Sequence, residues 1–268
     1  MNTQIYNKDW VIARVKKLGL KPSRGNGQNF LINPEPLTRI IEAGDVKPGD
    51  YVLEIGPGLG ALTESLLDRG ARVTAVEFDP KLALNLKKSI PEKFPFTIIQ
   101  GDILEIAREE FLAELGPYKI IANIPYHITS DIIRKFIESK YPPTVICLLI
   151  QKEVAERIAA VPPDMSQLAL FTQWSADVDY ITTVTRKNFE PAPAVDSAII
   201  RLTPRPAPQL ADVDQKKLFS LIKRGFSSPR KQLANNLGLK KDESPVDPTR
   251  RAETLSIEEW ITLLKRLS

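Results

Sequence analysis

Two periods of apolar spacing alternate along this chain of 268 residues. Short runs rich in β-branched and aliphatic residues, at 51–55, 72–76, 96–99, 119–122 and 145–150, predict strands. Between and after them, apolar residues recur at helical spacing over 34–43, in a stretch ending at 69, and over 80–89, 129–139, 152–160 and 166–177. Strand alternating with helix is the rhythm of a parallel sheet. Two later runs, 180–184 and 197–202, are expected to pair as an antiparallel edge of the same sheet, which brings the count to seven strands.

The pattern changes after residue 204. Arg205-Pro206-Ala207-Pro208-Gln209 places proline at alternate positions, where neither regular structure continues, and so marks a linker. Beyond it, 214–226, 229–237 and 256–267 have helical periodicity, with Ser256 ahead of Glu258 and Glu259 as a predicted N-cap and acidic first turn. An α/β domain over 1–204 and a small all-α domain over 205–268 are therefore expected.

Composition narrows the class. A share of 43% hydrophobic and 26% charged residues suits a soluble globular protein, and no run approaches the roughly 20 apolar residues that a membrane span requires. The first ten residues carry no signal or transit pattern, so a cytoplasmic location is the expectation, with monomer as the default state. One cysteine, Cys147, and one histidine, His127, exclude an internal disulfide and a Cys/His zinc cluster, and no metal is expected. The net charge is only +4, yet residues 205–268 hold thirteen Lys and Arg against eight Asp and Glu, and residues 1–30 hold six against one. Positive charge at both ends suits a polyanion, although two solvated amphipathic helix faces would give the same pattern.

The chemistry-bearing residues fall at strand ends, where an open α/β sheet holds its ligands. Glu54-Ile55-Gly56-Pro57-Gly58-Leu59-Gly60 follows the first predicted strand and opens a helix, so that Gly56 and Gly58 can bring backbone close to a flat or anionic group. Read alone, Gly56, Gly58 and Ala61, with Glu77 twenty-one residues after Gly56, also fit a dinucleotide fingerprint and a nicotinamide dehydrogenase. Asn123-Ile124-Pro125-Tyr126 follows the fourth apolar run. It offers an amide, carbonyls freed from any ladder and a flat ring, a set suited to a planar amine-bearing ring such as a nucleobase.

Taken in order, these motifs resemble those of the ribosomal RNA adenine N6,N6-dimethyltransferase family, the KsgA group, over nearly the whole chain. The resemblance is carried by Gly27-Gln28-Asn29-Phe30-Leu31, the Glu54 to Gly60 loop, Glu77, Asp102, Asn123 to Tyr126, Gln151 to Arg157, Phe189 to Ser197, and Arg224 to Lys231. It implies a class I fold dependent on S-adenosylmethionine, a Rossmann-like seven-stranded sheet with an antiparallel edge, and a helical C-terminal domain that binds RNA. It implies that Asn29, Leu31, Gly56, Glu77, Asp102 and Asn123 bind S-adenosylmethionine, with Glu77 on the ribose hydroxyls and Asp102 on the adenine amine. It implies that Asn123, Pro125, Tyr126 and Phe189 handle the target adenine, with Tyr126 and Phe189 as stacking rings. The implied substrate is two adjacent adenosines near the 3′ end of small-subunit rRNA during ribosome biogenesis. An Erm-like enzyme of large-subunit rRNA, or a ribosome-assembly factor with low activity, are the alternatives. The tail departs from the family at Ser227-Ser228-Pro229-Arg230-Lys231, which leaves its RNA contacts open.

Overall fold

The computed structural model describes residues 7–20, 29–125, 128–205, 213–240 and 244–267. In chain order its elements are α1 (Lys8–Lys17), β1 (Phe30–Leu31), α2 (Pro34–Ala43), β2 (Tyr51–Ile55), α3 (Ala61–Asp68), β3 (Arg72–Glu77), α4 (Pro80–Ser89), β4 (Phe96–Gln100), α5 (Ile103–Ile106), α6 (Glu109–Leu115), β5 (Tyr118–Asn123), α7 (Thr129–Ile137), β6 (Val145–Gln151), α8 (Lys152–Ile158), α9 (Gln167–Ser175), β7 (Ala176–Val184), β8 (Phe189–Glu190), β9 (Ser197–Pro204), α10 (Gln215–Gly225), α11 (Leu233–Leu237) and α12 (Ile257–Leu267). They fall into two compact units. One comprises Met1–Ala155 with Asp179–Pro204, the other Glu156–Val178 with Arg205–Ser268.

A seven-stranded sheet in the order β4-β3-β2-β5-β6-β9-β7 forms the first unit's frame. Strands β4, β3, β2, β5 and β6 run parallel, and β9 pairs antiparallel with β6 from Ile146↔Leu202 to Gln151↔Ser197. The expected count of seven and the antiparallel edge are both present. The central strands read as unbroken apolar runs because helices cover both faces of a parallel sheet; every residue from Val145 to Ile150 is buried. The helices begin where their sequences allow. Asp79 accepts the Lys81 N–H at 2.8 Å ahead of Pro80 in the first turn of α4, and Asn33 accepts the Glu35 N–H at 3.1 Å ahead of Pro34 in α2.

Three differences from the sequence pattern have physical causes. The helix expected over 166–177 ends at Ser175, and Ala176 already has extended backbone, φ −151°, because β7 starts there rather than at 180. Sheet pairing overrides helical spacing at that junction. A two-stranded ribbon, Phe30↔Glu190 and Leu31↔Phe189, has no counterpart in the pattern, since two-residue strands are too short to show a period. The segment Glu156–Val178 belongs with the tail's unit, whereas the division read from the sequence falls at 204 alone. Met165, Leu170 and Trp174 of that segment share one buried core with Leu218, Leu221 and Trp260.

Within the second unit, α12 starts with a reciprocal cap. Ser256 Oγ accepts the Glu259 N–H at 3.3 Å while the Glu259 carboxylate accepts the Ser256 N–H at 2.9 Å, a capping box on the predicted N-cap residue. Trp260, 0% exposed, stacks on Phe226 with ring centroids 6.1 Å apart and lies against the last residue of α10, Gly225. A methyl group on Gly225 would sit 2.3 Å from Trp260 Cη2. Gly225→Ala is therefore expected to destabilise the protein by about 1–3 kcal/mol through overpacking, which denaturant unfolding would measure; an unchanged midpoint would mean that the indole moves aside without cost.

Candidate active site

Order in the sheet decides where a cavity opens. The connections after β2 and β3 progress to one side of β2, and the chain then returns to place β5 on its other side, so the carboxyl ends of β2 and β5 part at a switch point. A cavity of 440 Å³ lies there, within the size range of small-ligand sites, about 300–1,000 Å³. Each strand end contributes to it: Glu54 and Gly56 from β2, Glu77 and Phe78 from β3, Gly101 and Asp102 from β4, and Asn123 and Pro125 from β5.

The loop after β2 is shaped by glycine. Gly58 has φ +59°, and the Phe30 ring would lie 3.2 Å from any Cβ there, so a side chain would be both strained and crowded. Its amide donates to Glu77 Oε2 at 3.0 Å, while Glu77 Oε1 accepts the Asp79 N–H at 2.9 Å. Glu77 is only 6% exposed, and burial raises its carboxyl pKa against the opposing pull of these backbone donors. Glu54 is more deeply placed, 1% exposed, and its Oε2 accepts from Thr63 Oγ1 of α3 at 2.6 Å. Burial, opposed by the Thr63 hydroxyl and reinforced by the charge of Glu77, pushes its pKa up to about 8. Asp102 caps α5, with Oδ1 accepting the Leu104 N–H at 2.8 Å.

The cavity gathers Asn29, Leu31, Gly56, Glu77, Asp102, Asn123 and Pro125, seven residues singled out in the sequence from motifs spread over almost a hundred positions. Asn29 and Leu31 reach it through the ribbon of β1 and β8. Phe189 does not line it: the ring is 2% exposed and packed in the core with Leu31, its register partner on β1. A ring so enclosed offers no face to a base unless the ribbon shifts. Gln28, Tyr126 and His127 lie outside the described residues, as does the linker from Pro206 to Gln209.

Four contributors were not visible from the motifs. Phe78, next to Glu77, is 73% exposed at the cavity although aromatic. Its position after a strand-end acid was the available signal, but exposure cannot be read from sequence. Thr63 is buried on α3 and donates to Glu54 of β2, a pairing across nine positions that arises only when the helix packs back on the strand. Trp10 and Val11 of α1 also line the cavity, and α1 is held there by a Lys8–Glu190 ion pair of 3.2 Å and by an Arg14–Asn85 hydrogen bond.

A mostly parallel sheet of this order, with β9 inserted antiparallel beside β6, is the fold of the class I methyltransferases. The solved structures agree. A dimethyladenosine transferase from Plasmodium falciparum superposes with TM-score 0.75 at 27% identity, covering 88% of this chain and 96% of its own. The 23S rRNA methyltransferase ErmE superposes with TM-score 0.73 at 29% identity, covering 89% and 99%. The chain belongs to the ribosomal RNA adenine dimethylase family, whose model matches residues 21–268, and so is an rRNA methyltransferase. Among curated relatives, the ribosomal RNA small subunit methyltransferase A of Dehalococcoides mccartyi (strain CBDB1) is 41% identical over 252 residues, 90% of this chain and 87% of its own. The enzyme of the same name from Bacillus cytotoxicus is 37% identical over 274 residues, 94% of each.

Glu54 links stability to pH. Its folded pKa of about 8 lies above the ordinary 4.5, so its contribution is fully present below about 4.5 and is lost as pH rises toward 8. Glu54→Gln removes that loss. The melting temperature of the wild-type protein, taken relative to the variant, is expected to fall between about pH 5 and 8 and to level off above; a difference constant with pH would show that Glu54 is ionised throughout.

Proposed function

We propose that this chain transfers methyl groups from S-adenosylmethionine to N6 of two adjacent adenosines near the 3′ end of small-subunit rRNA, giving N6,N6-dimethyladenosine, and that it acts as a monomer on an immature small-subunit particle. The observation that carries the reading is that Asn123 and Pro125, from an amine-methylating motif, line the same cavity as the acids Glu77 and Asp102. The two halves of the chemistry thus meet at one place. The curated relatives' names favour the small subunit, whereas one of the two solved structures is a 23S rRNA methyltransferase and the other a dimethyladenosine transferase.

The residues fit the donor. A cavity with an exposed aromatic ring, Phe78, beside two strand-end carboxylates suits a nucleoside, with Glu77 taking the ribose hydroxyls and Asp102 the adenine amine. When bound, S-adenosylmethionine supplies a methyl group activated on a sulfonium. Leu31 of the ribbon, Asn29 just before it and Trp10 from α1 also wall the cavity.

What the protein contributes to the transfer is alignment and hydrogen-bond acceptance. The N6 lone pair is delocalised into the adenine ring, and acceptors placed off the ring plane localise it. The Asn123 side-chain oxygen is one such acceptor. The Pro125 carbonyl accepts the Ile128 N–H at 3.3 Å and keeps one lone pair; the Ile124 carbonyl is assigned as the backbone partner. Pro125 restricts the backbone of Ile124 to extended conformations, which orients that carbonyl. Tyr126 stacks on the extruded base. Phe189, buried and paired in register with Leu31, supports the ribbon rather than the base in this arrangement. The second unit's basic residues, among them Lys223, Arg224, Arg230 and Lys231, bind RNA phosphates, and binding weakens with salt.

Labelled methyl transfer to undermethylated small subunits and to protein-depleted large-subunit rRNA, followed by nucleoside analysis, tests the substrate. Dimethyladenosine confined to small subunits is expected; label in large-subunit rRNA would place the chain with the Erm-like enzymes, and label in neither would favour an assembly role. Asn123→Ala is expected to lower kcat by roughly 10²-fold, the cost of one electrostatic partner at a reacting atom, while donor affinity falls less. A normal kcat at saturating RNA would remove Asn123 from the mechanism. Glu77→Gln should instead weaken donor binding by about 10–100-fold, the worth of a hydrogen bond to a charged group, as equilibrium dialysis would show.

A further inference from the structure

The cavity has an unbalanced charge. Glu54, Glu77, Asp79 and Asp102 line it, and among the described lining residues there is no Lys, Arg or His. Glu54 is the most enclosed of the four, at the end of β2, with Thr63 Oγ1 on one oxygen and Glu77 as the neighbouring acid. A lone carboxylate withdrawn from water is costly and stays neutral until a cation arrives. The donor assigned above is such a cation, for its sulfonium adds a positive charge that the thioether product lacks. The ammonium and carboxylate of the amino-acid end are common to both.

We propose that Glu54 is the charge-sensing group of the donor site: neutral in the free enzyme, it releases its proton to solvent when a sulfonium donor enters and recovers one when the thioether product remains. The proposal rests on the donor reading and deepens it. Its consequence is discrimination. A product that leaves Glu54 either ionised without a counter-charge or obliged to recover a proton is bound less well than the donor as pH rises, which favours release after each transfer. Thr63, donating to Glu54, supports the ionised form. Glu77, with two backbone donors already on its oxygens, is the competing candidate for the same titration.

Titration calorimetry in two buffers of different ionisation enthalpy counts the protons released on binding. With the wild-type protein at about pH 7.5, S-adenosylmethionine and an unreactive analogue bearing an ammonium in place of the sulfonium are each expected to release more than half a proton, since Glu54 titrates at about 8. S-adenosylhomocysteine should release close to none. The ratio of donor to product affinity should rise by up to about tenfold per pH unit below 8 and flatten above it, as linkage to one proton requires. Glu54→Gln, which preserves shape and can still accept from Thr63, should abolish both effects. Equal proton release for donor and product, or release persisting in Glu54→Gln, would overturn the proposal, the second outcome assigning the proton to Glu77. Failure of the wild-type protein to bind any of the three ligands would overturn the donor reading itself.

Discussion

The hydrogen bond from the Gly58 amide to Glu77 ties the loop after one strand to the end of its neighbour, and the site depends on it. It satisfies a carboxylate that is almost wholly buried and fixes the loop's left-handed turn against the Phe30 ring. With the loop held there, the wall formed by Asn123 and Pro125 lies close by. A Cβ on Gly56 would be 3.8 Å from Pro125 Cδ and 3.9 Å from the Asn123 carbonyl. Those are ordinary contact distances, so a side chain at Gly56 would be opposed by the backbone, whose φ is +66°, rather than by crowding.

That arrangement explains why acidic groups are tolerated in so dry a place. Burial raises the carboxyls of both Glu54 and Glu77, and each carries a different compensation: backbone amides at Glu77, a threonine hydroxyl at Glu54. Neither is balanced by a cationic residue among the described cavity lining, so charge complementarity is left for the ligand to provide.

The second unit is built on another principle. Its core is centred on two buried indoles, Trp174 and Trp260, and its helices present lysines and arginines elsewhere. In the sequence the segment carrying Trp174 reads as a continuation of the α/β domain. Its apolar residues find their partners more than forty positions later, across the intervening β7 and β9. Helical periodicity shows that a face will be buried; it does not say against what.

From the sequence alone, the strand–helix rhythm, the seven strands and the strand-end residues Gly56, Glu77, Asp102 and Asn123 were legible. The strands follow from local spacing, since a buried parallel strand is an apolar run, whereas the resemblance to the family is what singled out those four residues among all that follow strands. The N-cap at Ser256 was legible because its partners lie within one turn, and the structure adds the return bond from Glu259. What only the tertiary structure decided were properties set by chain segments meeting at a distance. The ribbon that pairs Leu31 with Phe189 and encloses the Phe189 ring is one; the placement of α1 and Trp10 at the cavity is another. The burial of Glu54 against Thr63 belongs with them, because desolvation depends on everything packed around a carboxyl and on no neighbour in sequence.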